Sequence, residues 1–150
     1  MVDESKVLVI EDDESYRHDL ETVLGFLGEQ TISVPSRKWS ERLEAVVQTR
    51  SEIAVAIIGS LEAISLEDLL SDIHKWEACI PFVILGREKI SDSANLELKK
   101  RATAFLNRDL SYQSLLDALH KSKLFSDHYS RLRDVDGLRN SDIFPGLVGK

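Results

Sequence analysis

Along this chain, short apolar runs alternate with segments in which apolar residues recur every three or four positions. Lys6–Ile10 (KVLVI) is apolar, rich in β-branched residues and stops abruptly at Glu11-Asp12-Asp13-Glu14. That pattern predicts a buried strand ending in an acidic cluster. Tyr16, Leu20, Val23, Leu24 and Leu27 then fall at helical spacing, with Gly28 as a natural stop. Residues 31–34 predict a second strand, and Trp39, Leu43, Val46 and Val47 a helix starting near Ser40. Ile53–Ile58 (IAVAII), the most apolar run, predicts a central strand buried on both faces. Leu66, Leu69, Leu70, Ile73 and Trp76 predict a third helix, and Phe82–Leu85 (FVIL), between Pro81 and Gly86, a fourth strand. A weaker helix over 93–101 and a short strand over 104–106 follow.

Strands and helices in this order predict an α/β fold: a five-stranded parallel, doubly wound sheet with helices on both faces. In such sheets ligands bind beyond the carboxyl ends of the strands, so the acidic cluster, Gly59, Gly86 and Arg108 are expected to share one cleft. From Tyr112 onward the pattern changes. Tyr112, Leu115, Leu119, Phe125, Tyr129 and Leu132 approximate one stripe, predicting an extended C-terminal helix to about Asp136. Gly137 is expected to break that helix, leaving 140–150 as a linker. The first half of the stripe is expected to pack on the sheet; because the second half outruns it, the face carrying Leu115, Leu119, Phe125, Tyr129 and Leu132 is expected to form a homodimer interface.

The 150 residues suit one domain, and a balance of 43% hydrophobic to 30% charged residues is that of a globular protein. No apolar run approaches the roughly 18 residues that span a bilayer, and the opening MVDESK has no signal-peptide character. No membrane partner and a cytoplasmic location are expected. A single cysteine, Cys79, excludes an internal disulfide and a thiolate metal cluster within one chain. His18, His74, His120 and His128 have no ligand spacing with each other or with Cys79. No nucleophile–base pair and no glycine-rich phosphate loop occurs, so no enzyme activity, catalytic residue or bound metal is expected. The net charge of −7 is uneven: residues 1–120 carry 13 basic and 22 acidic side chains (−9), and 121–150 carry 6 and 4 (+2). An acidic body is poorly suited to gripping DNA.

Paired carboxylates after strand one and five βα units resemble the receiver domains of two-component response regulators. That resemblance implies a flavodoxin-like fold and assigns roles by position. Asp12 and Asp13 stand where two acids hold Mg²⁺. Gly59, or Ser60 in a register shifted by one, stands where an aspartate accepts the phosphoryl group, and no aspartate lies between Asp19 and Asp68. Gly86 replaces a Thr or Ser, Arg108 a Lys, and Asp109 a Pro. The phosphosite (Gly59, Ser60) and the switch positions (Gly86, Arg108) are thus lost, leaving a vestigial acidic pocket. Arg108 is expected to pair with Asp12 or Asp13, or else to face solvent.

Three segments, IIGSLE, YQSLLDALHKSK and IFPGLVG, are similar to the FleQ and FlrA flagellar master regulators. The resemblance implies a regulatory and dimerisation domain of a σ54-dependent activator of flagellar genes, independent of phosphorylation. It divides the chain into a degenerate receiver (1–125) and a helical extension and linker (126–150) leading to an AAA+ domain. ATP and cyclic di-GMP would be cofactors of the larger protein, with Pro145 replacing an arginine that helps bind the latter. Its partners would be a second copy, its own AAA+ domain and, through domains beyond this chain, σ54 RNA polymerase, DNA and an anti-activator ATPase. Two rival readings are a working receiver with a non-standard acceptor such as Ser60, and a small flavodoxin-like enzyme.

Overall fold

The computed structural model describes residues 5–92 and 94–141, with side chains described as far as 129. Its elements are β1 (Lys6–Ile10), α1 (Glu14–Phe26), β2 (Gln30–Val34), α2 (Trp39–Glu44), β3 (Ile53–Ile58), α3 (Leu66–Trp76), β4 (Phe82–Leu85), α4 (Leu96–Arg101), β5 (Ala102–Leu106) and α5 (Tyr112–Ser141). The five strands form one parallel sheet in the order β2-β1-β3-β4-β5.

The unbroken apolar runs explain the centre of this sheet. Every residue of β3 and β4 is buried, as a strand covered on both faces requires. One core layer sets Leu8, Ile10, Ala56, Ile58, Phe82 and Ile84 against Leu43 of α2, Leu66, Leu69, Leu70 and Ile73 of α3 and Leu98 of α4. The other sets Val7, Val9, Val55, Ile57, Val83 and Leu85 against Leu20 and Leu24 of α1 and Leu115, Ala118 and Leu119 of α5. Alternate residues of each strand face opposite layers, as the period-two geometry of a strand dictates.

Four boundaries differ from the sequence expectation. The second helix begins at Trp39 after Lys38, whose φ of 57° is left-handed, and ends at Glu44, so Val46 lies outside it and exposed. The fourth helix starts at Leu96, where Asn95 accepts a bond from the Glu97 amide as N-cap. β5 starts at Ala102, two residues early, because its ladder with β4 begins at Phe82 and Ala102. Finally, Gly137 does not break α5, which runs on to Ser141. A glycine inside a helix costs only about 1 kcal/mol relative to alanine, too little to stop an established helix.

At two positions the dimer-interface expectation is also corrected. Leu115 and Leu119 are 0% and 1% exposed because they pack into this chain's own core, leaving no surface for a partner. Phe125 and Tyr129 are not left in water either: both are half-buried, and their rings stack at 5.8 Å. Leu132 lies outside the described side chains.

Candidate functional site

The acidic cluster stands at the carboxyl end of β1, and three of its four carboxylates do three different jobs. Asp13 is the N-cap of α1 and accepts from the Tyr16 amide at 3.0 Å. Asp12 turns towards the neighbouring loops. It accepts from the Ser36 amide (2.7 Å), the Ser36 hydroxyl (2.5 Å) and the Glu62 amide (2.6 Å). Burial pushes the Asp12 carboxyl up, but these three bonds and the charge of Arg17 outweigh it and hold the group below its ordinary value.

Glu11 is the residue that faces the pocket, and its side chain is 0% exposed. One oxygen, Oε1, accepts from Arg108 Nη1 at 3.0 Å and from the Ser60 amide at 3.2 Å. The other, Oε2, accepts from the Asp13 amide at 2.8 Å and from the Ser60 hydroxyl. A buried carboxylate is tolerable only with a counter-charge and satisfied lone pairs, and Glu11 has both.

Two glycines make room for this pair. An ideal Cβ on Gly59 would overlap Glu11 Oε1 and come within 2.8 Å of Glu11 Cδ and 3.3 Å of Arg108 Nη1. At Gly86 the backbone has φ +80°, and a Cβ would meet Arg108 Cγ and Cδ at 3.2 and 3.3 Å. The Arg108 stem therefore lies on Gly86, and its guanidinium covers the Tyr16 ring, 3.9 Å from the centroid. The Tyr16 hydroxyl closes the loop by donating to the Arg108 carbonyl at 2.5 Å. Four segments, after β1, β3, β4 and β5, are thereby tied together at one end of the sheet.

Arg108 thus pairs with Glu11, and not with Asp12 or Asp13. The reason is geometric: both aspartates are turned to amides elsewhere, whereas the longer Glu11 reaches across Gly59. In the sequence Glu11 is one acid among four. The available signal was the small residue at the end of β3, which leaves a gap that a longer neighbouring acid can fill. Ser60 also has an acid beside it in space, the Glu11 carboxylate that accepts from its hydroxyl. Among the described residues, no three of His, Cys, Asp and Glu are grouped so as to hold a metal ion. Pro145 lies outside the described residues.

The fold and the position of this pocket define a receiver-like regulatory domain. A response regulator receiver domain protein from Clostridium thermocellum matches with a TM-score of 0.66 at 22% identity, over 83% of this chain and 98% of that one. The response regulator StyR matches at 0.67 and 21%, over 91% and 68%. The signal receiver domain of an HD domain-containing protein from Pseudomonas fluorescens Pf-5 matches at 0.64 and 18%, over 89% and 96%. At these identities the likeness is one of fold. The family is shown by sequence: residues 6–124 match the model of the flagellar regulatory protein FleQ, and the chain belongs to that family.

Proposed function

We propose that this chain is a phosphorylation-independent regulatory domain of a σ54-dependent activator of flagellar genes. The observation that carries the reading is the Glu11 carboxylate lying over Gly59, paired with Arg108. In a phosphorylated receiver the resemblance puts an acid at Gly59, a phosphoryl group beyond it and a lysine at Arg108. Here an internal carboxylate and an internal cation take that space. Glu11 itself is no substitute acceptor, because its oxygens are engaged and no part of the side chain reaches solvent. The Ser60 hydroxyl donates to Glu11, so the rival acceptor is tied into the same arrangement. Incubating the chain with acetyl phosphate and Mg²⁺ tests both readings by mass: no adduct is expected, and a stoichiometric phosphoryl group on any residue overturns the proposal.

Self-association belongs to the same proposal, but on the outer face of α5. Tyr112, Leu116 and Leu124 are 56%, 41% and 62% exposed there, apolar area that a second copy would cover. Contacts to an AAA+ domain, σ54 RNA polymerase, DNA and an anti-activator, and use of ATP and cyclic di-GMP, are proposed for the activator as a whole.

A further inference from the structure

At the end of the sheet opposite the acid pocket lies a second buried charge that the regulatory reading does not use. Arg101, at the junction of α4 and β5, is 2% exposed. A guanidinium so deeply buried needs partners from several directions. Its Nε donates to the Ala78 carbonyl at 2.7 Å, in the turn between α3 and β4. Its Nη1 donates to the Glu97 carbonyl at 3.2 Å and to the Glu97 carboxylate at 2.7 Å. The remaining face is closed by Tyr129 of α5, whose ring centroid lies 4.4 Å from Cζ. Phe125 stacks behind that ring almost parallel, at 6°.

The place of this contact along α5 gives it a consequence. From Leu115 to Ser122 the helix is held by the core: Leu115, Ala118 and Leu119 pack on the sheet, and Ser122 shares a hydrogen bond of 2.6 Å with buried Thr103. Past Ser122, Lys123 pairs with Glu29 at 2.7 Å near the base of α1. Next come Phe125 and Tyr129, and the helix then continues through another 12 residues to Ser141, about 18 Å at 1.5 Å per residue. The Arg101–Tyr129 contact is accordingly the outermost described hold on α5. It is also asymmetric: without Tyr129, Arg101 keeps its bonds to Ala78 and Glu97, so the ring can leave without stranding an unpaired charge.

We infer that Arg101 and Tyr129 form a releasable clasp that sets the direction in which α5 leaves the domain, coupling the position of α4 to the outgoing helix. Glu97 and Arg101 both sit on α4, so a shift of α4 carries the guanidinium away from the ring, and a rotation of α5 withdraws the ring from the guanidinium. The clasp stands at the far end of the sheet from Glu11 and Arg108 and is independent of how that pocket is read.

Amide hydrogen exchange on the whole 150-residue chain tests this. Tyr129→Leu removes the ring and Tyr129→Phe keeps it. In Tyr129→Leu, exchange over 125–141 is expected to rise roughly tenfold, within the range a cation–π contact spans. Amides of β1, β3 and residues 115–122 should stay as in the wild type, and Tyr129→Phe should match the wild type throughout. The clasp is overturned by unchanged exchange in Tyr129→Leu, by an equal rise in Tyr129→Phe, or by a rise in the core amides together with the helix end.

Discussion

Glu11 and Gly59 are fitted to one another: the carboxylate of the first occupies the space that any side chain on the second would need. Enlarging Gly59 is therefore expected to be costly although the residue lies next to a loop. Glu11 is fully buried and held by several hydrogen bonds, so it has nowhere to retreat. Gly59→Ala should lower stability by about 2–3 kcal/mol, the cost of overpacking and disturbing a buried charge. Urea unfolding of Gly59→Ala, alone and with Glu11→Ala, checks it: the second change should relieve much of the first.

Removing the cation should be worse than removing the pair. Arg108→Met leaves Glu11 buried without its counter-charge, an expected loss of about 2–4 kcal/mol, allowing for the one-third exposure of Arg108. Glu11→Gln combined with Arg108→Met removes both charges and should recover a substantial part. A double-mutant cycle in urea that returns simple additivity would show that the two residues are not coupled.

Gly86 is held by backbone conformation as well as by space. With φ +80° and the Arg108 stem against it, Gly86→Ala should cost about 1–2 kcal/mol. Gly28 also has positive φ, but nothing lies within 4 Å of its added Cβ, so Gly28→Ala should cost only the backbone strain. Thermal unfolding of the two variants side by side should rank Gly86→Ala lower.

Asp12 makes stability depend on pH in a defined window. Its carboxyl is held below the ordinary 3.8, so the folded state binds this proton more weakly than the unfolded chain does. The stabilisation is therefore fully present above the unfolded value and is lost as pH falls through the folded one. Asp12→Asn should lower stability at pH 7 and flatten the decline below about pH 4. Urea midpoints for wild type and variant between neutral and acid pH measure this, and parallel curves would contradict it.

The outer and inner faces of α5 should respond differently to charge. Leu116→Asp with Leu124→Asp changes exposed positions and should leave the fold intact while shifting any dimer to monomer in sedimentation. Leu115→Asp places a charge in the core and should unfold the domain. A wild-type chain that sediments as a monomer at every concentration would contradict the self-association proposal.

The fold was legible because its strands are short apolar runs that need both faces covered, IAVAII and FVIL above all. The helix stripe over 115–132 was legible as a period but only in part as a direction. Periodicity and length place Leu115 and Leu119, in the first half of α5, on the sheet, but do not show whether Phe125 and Tyr129 meet this chain or a partner. The stripe met this chain's own sheet and Arg101. The pocket was legible at Gly59, Gly86 and Arg108 as departures from a pattern. Glu11 was not, because its role depends on a partner 97 residues away that only the fold brings to 3.0 Å. Arg101 was hidden for the same reason: an arginine at the end of a polar helix reads as solvated until the fold lays Tyr129 across it.

The central claim is that Glu11 and Arg108 fill the pocket from within, leaving no place for a phosphoryl group. Beryllofluoride with Mg²⁺ probes that space most directly, because it mimics the phosphoryl group without needing a phosphodonor. The amide signals of Ser60, Gly86 and Arg108, followed through a titration, should stay where they are in the wild-type chain. Saturable shifts of those three signals, absent when Mg²⁺ is withheld, would contradict the account.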